Sequence, residues 1–359
     1  ESNEIKSLKV DEIKEGQFLI APKEIPLTEE IKEINLLDEL IILGKKYQLL
    51  YLRDFNDENL FKKLKSLEKN NEILKGKVKN WIRHKTLPLW VLNEFSREIN
   101  IHNYNINNCR IGIYSGRSSL PVNMTLDKDF MRVLGLFVAE GTVREEHLIF
   151  SFGSHEKEYI NEVTKTLTKI FDTTYSLFEK ETSAVQIQVN SKLLSVLFSD
   201  ILKTGSNAKT KRIPEIVYSV SSSLKKEFLL AYIQGDGSRV ITENQGFRPQ
   251  VCISTNSVSE DLTNDFLVLY SQLGIHANYQ EAFIKGRIME KTGQYIKDTV
   301  SRRTLIQNPD TAFELGFLNE KPPRNLGKGV IENFIPAPQN YSKEWKSRKR
   351  IRIERNLAL

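Results

Sequence analysis

Two stretches of this chain match each other position by position, and that match restricts the fold more than any other feature. Asp129-Phe-Met-Arg-Val-Leu-Gly-Leu-Phe-Val-Ala-Glu-Gly141 and Lys225-Lys-Glu-Phe-Leu-Leu-Ala-Tyr-Ile-Gln-Gly-Asp-Gly237 are both apolar runs with small residues at corresponding places, and both end in small-acid-Gly. Alignment sets Glu140 opposite Asp236, 96 positions later. The correspondence continues downstream. Ser151-Phe-Gly-Ser154 introduces a helical pattern with apolar Ile160, Val163, Leu167 and Ile170; Ser254-Thr-Asn-Ser257 introduces another with Leu262, Phe266, Leu269 and Leu273. Ser154 to Phe171 and Ser257 to Gly274 are both 17 positions, while the offset has grown from 96 to 103, which assigns the second copy a longer connection between helix and strand.

Each copy reads as an apolar helix, then strands such as His147–Phe152 and Gln250–Ser254, and a surface helix. Further strands such as Ala184–Val189 follow, and then a last helix around Leu193–Leu202. Alternation in Val185-Gln-Ile-Gln-Val189 marks a half-buried strand. A repeated unit must bury its repeated apolar face, and two copies in one chain do so against each other. The expected fold is α+β: duplicated αββαββα units related by a pseudo-two-fold around the two apolar helices, in a monomer with an N-terminal extension. The expected divisions are 1–55 (β-rich), 56–117 (helical and basic), 118–222 and 223–335 (the two repeats), and 336–359 (a basic tail).

The chain's 359 residues, 40% hydrophobic and 27% charged, suffice for a sizeable core. Cys109 and Cys252 make neither a disulfide framework nor a zinc site, and none of the five histidines stands at metal-ligand spacing. No apolar run approaches the roughly 20 residues of a membrane span. These features lead us to expect a soluble, cytoplasmic protein with no membrane partner. Net charge is +6, and the excess is local: nine Lys/Arg against two Glu between Phe61 and Lys85, and seven against two between Lys343 and Arg355. Such patches suit a polyanion through counterion release, and equally suit a solvated lysine face.

Gly135 and Ala231 give each apolar helix a small-residue face on which two backbones can approach closely. If the copies face each other, Glu140 and Asp236 meet at one end of that seam. Carboxylates belong at helix N-termini, so two acids at two C-terminal ends repel both each other and the helix dipoles. A divalent cation with oxygen ligands, Mg²⁺ or in its place Mn²⁺, answers that repulsion and leaves coordination sites for water and phosphate oxygens. The glycine after each acid reads as a helix C-terminal residue.

The two runs resemble the paired signature helices of the LAGLIDADG homing endonucleases in their single-chain form, and the likeness extends over about residues 118–335. Leu120-Pro-Val-Asn-Met-Thr-Leu-Asp127 resembles the lead-in usual in intein-associated members. Lys211-Arg-Ile-Pro214, 25 positions before Asp236, resembles the family's Lys-x-Ile-Pro block, and Leu315-Gly-Phe-Leu-Asn-Glu-Lys321 the matching block of the second copy. The resemblance implies saddle-shaped antiparallel sheets lying along double-stranded DNA, and Mg²⁺-dependent cleavage of both strands at a long specific site, leaving short 3′ extensions. It implies that Glu140 and Asp236 bind metal, with the carbonyls of Ala139 and Gly235 as further ligands. Lys211 and Lys321 become the basic residues of the two half-sites. Pro322-Pro-Arg after Lys321 departs from the usual pattern.

Val10 to Pro22 resembles the Hint-domain stretch of inteins, yet Glu1 is not the Cys or Ser of a splicing nucleophile, and Asn356-Leu-Ala-Leu359 is not a His-Asn terminus. The expectation is a chain that does not splice. Residues 71–95 read either as a helix-turn-helix presenting Lys75, Lys77, Lys79, Arg83 and Lys85 to DNA, or as an amphipathic helix with Val78, Trp81 and Ile82 inward. Arg239 and the tail residues Arg348, Lys349 and Arg350 are further DNA contacts in this reading. The competing function is a non-cleaving nucleic-acid binder on the same scaffold, an RNA maturase or a DNA-binding regulator.

Overall fold

The computed structural model describes residue 12 and residues 29–322, apart from 45, 107, 115, 117, 180–182, 243–248 and 289–294. The Hint-like stretch, save Glu12, and the basic tail with Arg348, Lys349 and Arg350 lie outside the described residues.

The described chain opens with β1 (Glu33–Asn35) and α1 (Leu36–Ile42), whose cap Asn35 accepts from the N–H groups of Leu37 and Asp38. β2 (Leu50–Arg53), α2 (Glu58–Lys69), α3 (Val78–His84), β3 (Thr86–Pro88), α4 (Leu89–Glu94), β4 (Arg110–Ile113) and β5 (Ser119–Pro121) follow. Antiparallel pairing in the order β3-β2-β4-β5 makes one sheet of them. That sheet crosses both expected divisions, at 55/56 and at 117/118. Residues 29–55 hold two short strands and a helix, not a β-rich arm, because β2 finds its partners only 33 or more positions further on.

β6 (Asn123–Thr125) pairs with β1 and leads into α5 (Lys128–Glu140). The first repeat continues as β7 (Gly141–Arg144), β8 (His147–Gly153), α6 (Lys157–Phe171), β9 (Ser176–Glu179), β10 (Ala184–Asn190) and α7 (Lys192–Val196), which runs on as a π-helical turn to Ile201. The second repeat is α8 (Ser222–Asp236), β11 (Gly237–Thr242), β12 (Gln250–Ser257), α9 (Glu260–Gln272), β13 (Asn278–Ile284), the small pair β14 (Arg287–Ile288) and β15 (Tyr295–Ile296), β16 (Thr299–Ile306) and α10 (Pro309–Glu314). Two four-stranded antiparallel sheets result, β7-β8-β10-β9 and β11-β12-β16-β13, with the same order in each copy. The extra length expected between helix and strand does fall between α8 and the strand that begins at Gln250, beyond the start of β11. Both helices pass directly into a strand at Gly141 and Gly237, and the added residues lie between there and β12, two of them in the longer β11.

α5 and α8 lie side by side at the centre. Asp127 caps α5 through Phe130 N–H (2.8 Å), and Ser221 caps α8 through Leu224 N–H (3.4 Å). From Phe130 to Ala139 every residue except Arg132 is buried, as a helix enclosed on most sides requires. A Cβ on Gly135 would stand 2.3 Å from the Phe228 carbonyl oxygen and 2.9 Å from Ala231 Cβ; one on Gly235 would stand 2.7 Å from Ala139 Cβ. Positions 135 and 231, and 139 and 235, are equivalent in the two copies, so each closest approach sets a glycine against an alanine. Arg132 closes the seam's flank. It pairs with Glu162 on α6 and reaches Glu227 (3.4 Å) and Gln234 (2.7 Å) on α8.

The N-terminal region is fastened to both repeats. Ile31 N–H donates to Ser219 just ahead of α8 (2.9 Å), and Leu126 N–H donates to the Lys32 carbonyl just ahead of α5 (2.8 Å). Lys46 bonds Asp200 (2.9 Å), and Tyr47 donates to the same carboxylate beside α7. One contiguous apolar core runs from Leu36 to Leu318.

A candidate active site at the helix seam

Each acid is the last residue of its helix. The next residue, Gly141 or Gly237, has φ −92° and already belongs to a strand. These glycines do not supply a left-handed turn. They are there for space, because a Cβ on Gly141 would fall 2.5 Å from the Phe137 carbonyl oxygen and one on Gly237 2.5 Å from that of Ile233. The chain turns from helix into sheet with no intervening residue, which fixes both carboxylates at the corner.

The seam brings those corners together. Gly235 lies against Ala139 and within 3.3 Å, measured from an added Cβ, of Glu140 Cγ. The Asp236 charge reaches Glu140. Burial, and then the Asp236 charge, push the Glu140 carboxyl up to about 7 against the opposing pull of Lys211. Asp236, though open to solvent on one side, is also raised by burial, opposed by Lys211 and by the Tyr232 hydroxyl, which donates to its Oδ2 (3.3 Å). Lys211 is lowered by burial, opposed by the two acids. All three groups are pushed toward neutrality, and in each of them burial is the largest cause.

Lys211 arrives from the segment between the repeats. Its Nζ donates to the Ala139 carbonyl (2.5 Å), which as a last-turn carbonyl has no helical donor. The next residue anchors it. Arg212 forms a two-pronged pair with Asp265 of α9 (2.7 and 2.9 Å), Ile213 N–H donates to the same carboxylate (3.0 Å), and Ser259 Oγ donates to the Lys211 carbonyl (2.9 Å). A lysine read in the first copy is thus held by a helix of the second. Asp265→Ala should cost roughly 2 kcal/mol, below the range for fully buried pairs because Arg212 keeps access to water, and urea denaturation will show it. The Arg212–Asp265 pair escaped the sequence reading. Its signal was a carboxylate set among the apolar positions of α9, beside Leu262, Phe266 and Leu269.

Lys321 does not join this group. It is exposed beyond α10, and it is not among the charges acting on either acid. Arg239 lies exposed on β11 with its guanidinium 5.5 Å from the Phe317 ring. Lys75, Lys77, Lys79, Arg83 and Lys85 are exposed on the N-terminal region, whereas Val78 and Trp81 are buried beneath them. Residues 71–95 form two short helices joined through left-handed Lys85 and β3.

Among the described residues no three His, Cys, Asp or Glu side chains cluster at metal distance. What the seam offers is two carboxylates beside main-chain carbonyls, an all-oxygen donor set in which the Ala139 carbonyl is held by Lys211. That fits a hard divalent cation that keeps water and phosphate ligands. No helix among the described residues is long and apolar enough to cross a membrane.

Residues 223–307 match the family model described as LAGLIDADG-like domain. The chain is similar to an uncharacterised protein of Methanocaldococcus jannaschii, 27% identical over 303 residues that are 79% of this chain and 31% of the relative. It is also similar to the DNA polymerase II large subunit of Thermococcus kodakarensis, 28% identical over 272 residues, 75% of this chain and 14% of that one. The chain spans less than a third of the length of either. A solved structure of an I-DmoI variant with its nicked target DNA shares 10% identity at a TM-score of 0.35, covering 54% of this chain and 97% of that one.

Proposed function

We propose that this chain is a divalent-metal-dependent endonuclease of the homing type, cutting both strands of a long, specific duplex DNA site and leaving short 3′ extensions. The observation that carries the reading is the meeting of Glu140 and Asp236, one from each copy, with Lys211 against the carbonyl of Ala139. Glu140 and Asp236 would hold Mg²⁺ or Mn²⁺, with the carbonyls of Gly235 and Ala139 beside them, the latter once Lys211 releases it. The bound ion would lower the pKa of water and neutralise charge developing on the phosphate. Lys211 contributes a compact positive charge whose proton is loosened by burial, suited to ordering a water or polarising a phosphate oxygen. The sheets supply the duplex surface. On β10 Val185, Ile187 and Val189 point into the core, which turns Gln186, Gln188 and Asn190 outward.

The relatives are several times longer than the segment they share with this chain. That proportion suits a self-contained unit lodged within host proteins, as the intein-associated resemblance implies.

The test is selection of cleaved sequences from a randomised plasmid library with purified chain and Mg²⁺. Linear products in Mg²⁺ and none in EDTA are expected. Tight binding with every strand intact in Mg²⁺ and Mn²⁺ overturns the reading and leaves a non-cleaving binder. On a selected site, Lys211→Met should slow cleavage about a hundredfold, whereas Lys321→Met should change it less than about threefold, because Lys321 does not act on the acid pair. Gel separation of supercoiled, nicked and linear plasmid distinguishes the two variants.

A further inference from the structure

Outside the seam, the helix pair α2–α3 carries a dense group of cations. Between Phe61 and Lys85 the chain carries nine Lys/Arg and two Glu. Each helix buries its apolar positions and leaves most of these cations in solvent. α2 buries Leu60 and Leu64, and α3 buries Val78 and Trp81, with Leu74 completely buried in the turn between them. Lys62, Lys65, Lys69, Lys77, Lys79, Arg83 and Lys85 are left exposed. Both acids of the stretch are spent locally. Glu72 pairs with Lys75 (3.0 Å), and half-buried Glu68 accepts from Val78 N–H at the start of α3 (3.4 Å). Among the described residues none of those seven exposed cations has an ion pair. Their backbones are tied to the core of the N-terminal region, so they form a fixed platform and not a loose tail.

We infer that the α2–α3 face is a second DNA-docking surface, binding the phosphate backbone of duplex DNA irrespective of sequence and separate from the cleavage seam. Fixed, unpaired cations at this density release condensed counterions when a duplex lies on them, and each phosphate contact adds about 0.9 to the dependence of log affinity on log salt. No side chain here is committed to base edges, so the surface contributes affinity and not sequence choice. The choice of duplex DNA as the polyanion rests on the function proposed above; the platform itself does not.

The experiment compares the full chain with a variant carrying Lys62→Gln, Lys65→Gln, Lys69→Gln, Lys77→Gln, Lys79→Gln and Arg83→Gln. A control carries Lys157→Gln and Lys165→Gln on α6. The probe is a 50-bp duplex of arbitrary sequence, followed by fluorescence anisotropy across a KCl series without divalent metal. The platform variant should bind on the order of 30-fold more weakly at 0.1 M salt, with a salt slope shallower by roughly three to five. The control should lose no more than its two charges explain, and Glu140→Gln should keep the slope. All six substituted side chains are on the surface, so an unchanged thermal transition is expected and is measured alongside. An unchanged slope and affinity in the platform variant overturn the inference, as does a single-stranded RNA of equal length that out-competes the duplex on the platform. A chain that never cleaves but shows the slope change refutes the endonuclease reading and keeps the platform.

Discussion

Asp236→Asn is expected to abolish double-strand cleavage, by on the order of 10²–10³-fold or more, with Glu140→Gln doing the same. The two carboxylates come from different copies and meet at one corner, so neither can replace the other. The same substitutions should make the protein more stable. The Glu140 carboxyl titrates at about 7 in the folded chain, where burial and the Asp236 charge oppose ionisation, against 4.5 ordinarily. A carboxyl raised in this way contributes its stability below its ordinary pKa and loses it as pH climbs through the folded value. Without metal, Glu140→Gln should therefore match the wild type near pH 4 and exceed it at pH 8, by at most about 3 kcal/mol. Urea denaturation in EDTA at the two pH values reads the gap. A gap that does not widen with pH, or a Gln variant cutting at wild-type rate, rejects the assignment. Mg²⁺ should stabilise the wild type more than either variant, since only the intact pair can hold it.

Gly135→Val should be the most damaging single substitution in the seam, costing more than about 4 kcal/mol or preventing folding. Its Cβ would enter the space of the Phe228 carbonyl oxygen, 2.3 Å away, and a main-chain carbonyl in mid-helix cannot rotate aside. The helices would have to move apart along the whole α5–α8 contact, opening the gap between Glu140 and Asp236 as well. Gly76→Ala makes the contrast. An added Cβ there meets nothing within 4 Å, and the only cost is its φ of +74°, about 1 kcal/mol. Equilibrium unfolding of the two variants measures the difference. A Gly135→Val protein of wild-type stability would mean the helices do not approach as described.

The seam was legible because duplication writes the same constraint twice. Gly135 and Ala231, or Glu140 and Asp236, mean little singly, but in register they mark a shared face and a shared end. Lys211 was legible through its neighbours Ile213 and Pro214. What stayed hidden depends on partners far away in the chain. The four residues of β2 carry no mark of pairing with β3 and β4, so the N-terminal sheet was cut by boundaries drawn from local composition. Lys321 shows the converse: a motif position can be filled while the side chain remains outside the cluster. The glycines after the acids do stand just beyond the helix C-termini, but their φ values are extended and what requires glycine there is crowding from Phe137 and Ile233.

The direct passage from helix to strand at Gly141 and Gly237 governs how such a molecule can change over time. One residue gained there would swing a carboxylate away from its twin, whereas the chain between the corner and β12 is longer in the second copy with both acids still in place. Between the two copies the helix-to-strand corner has kept its length while the stretch before β12 has not, and each corner serves as a fixed origin from which its half is measured.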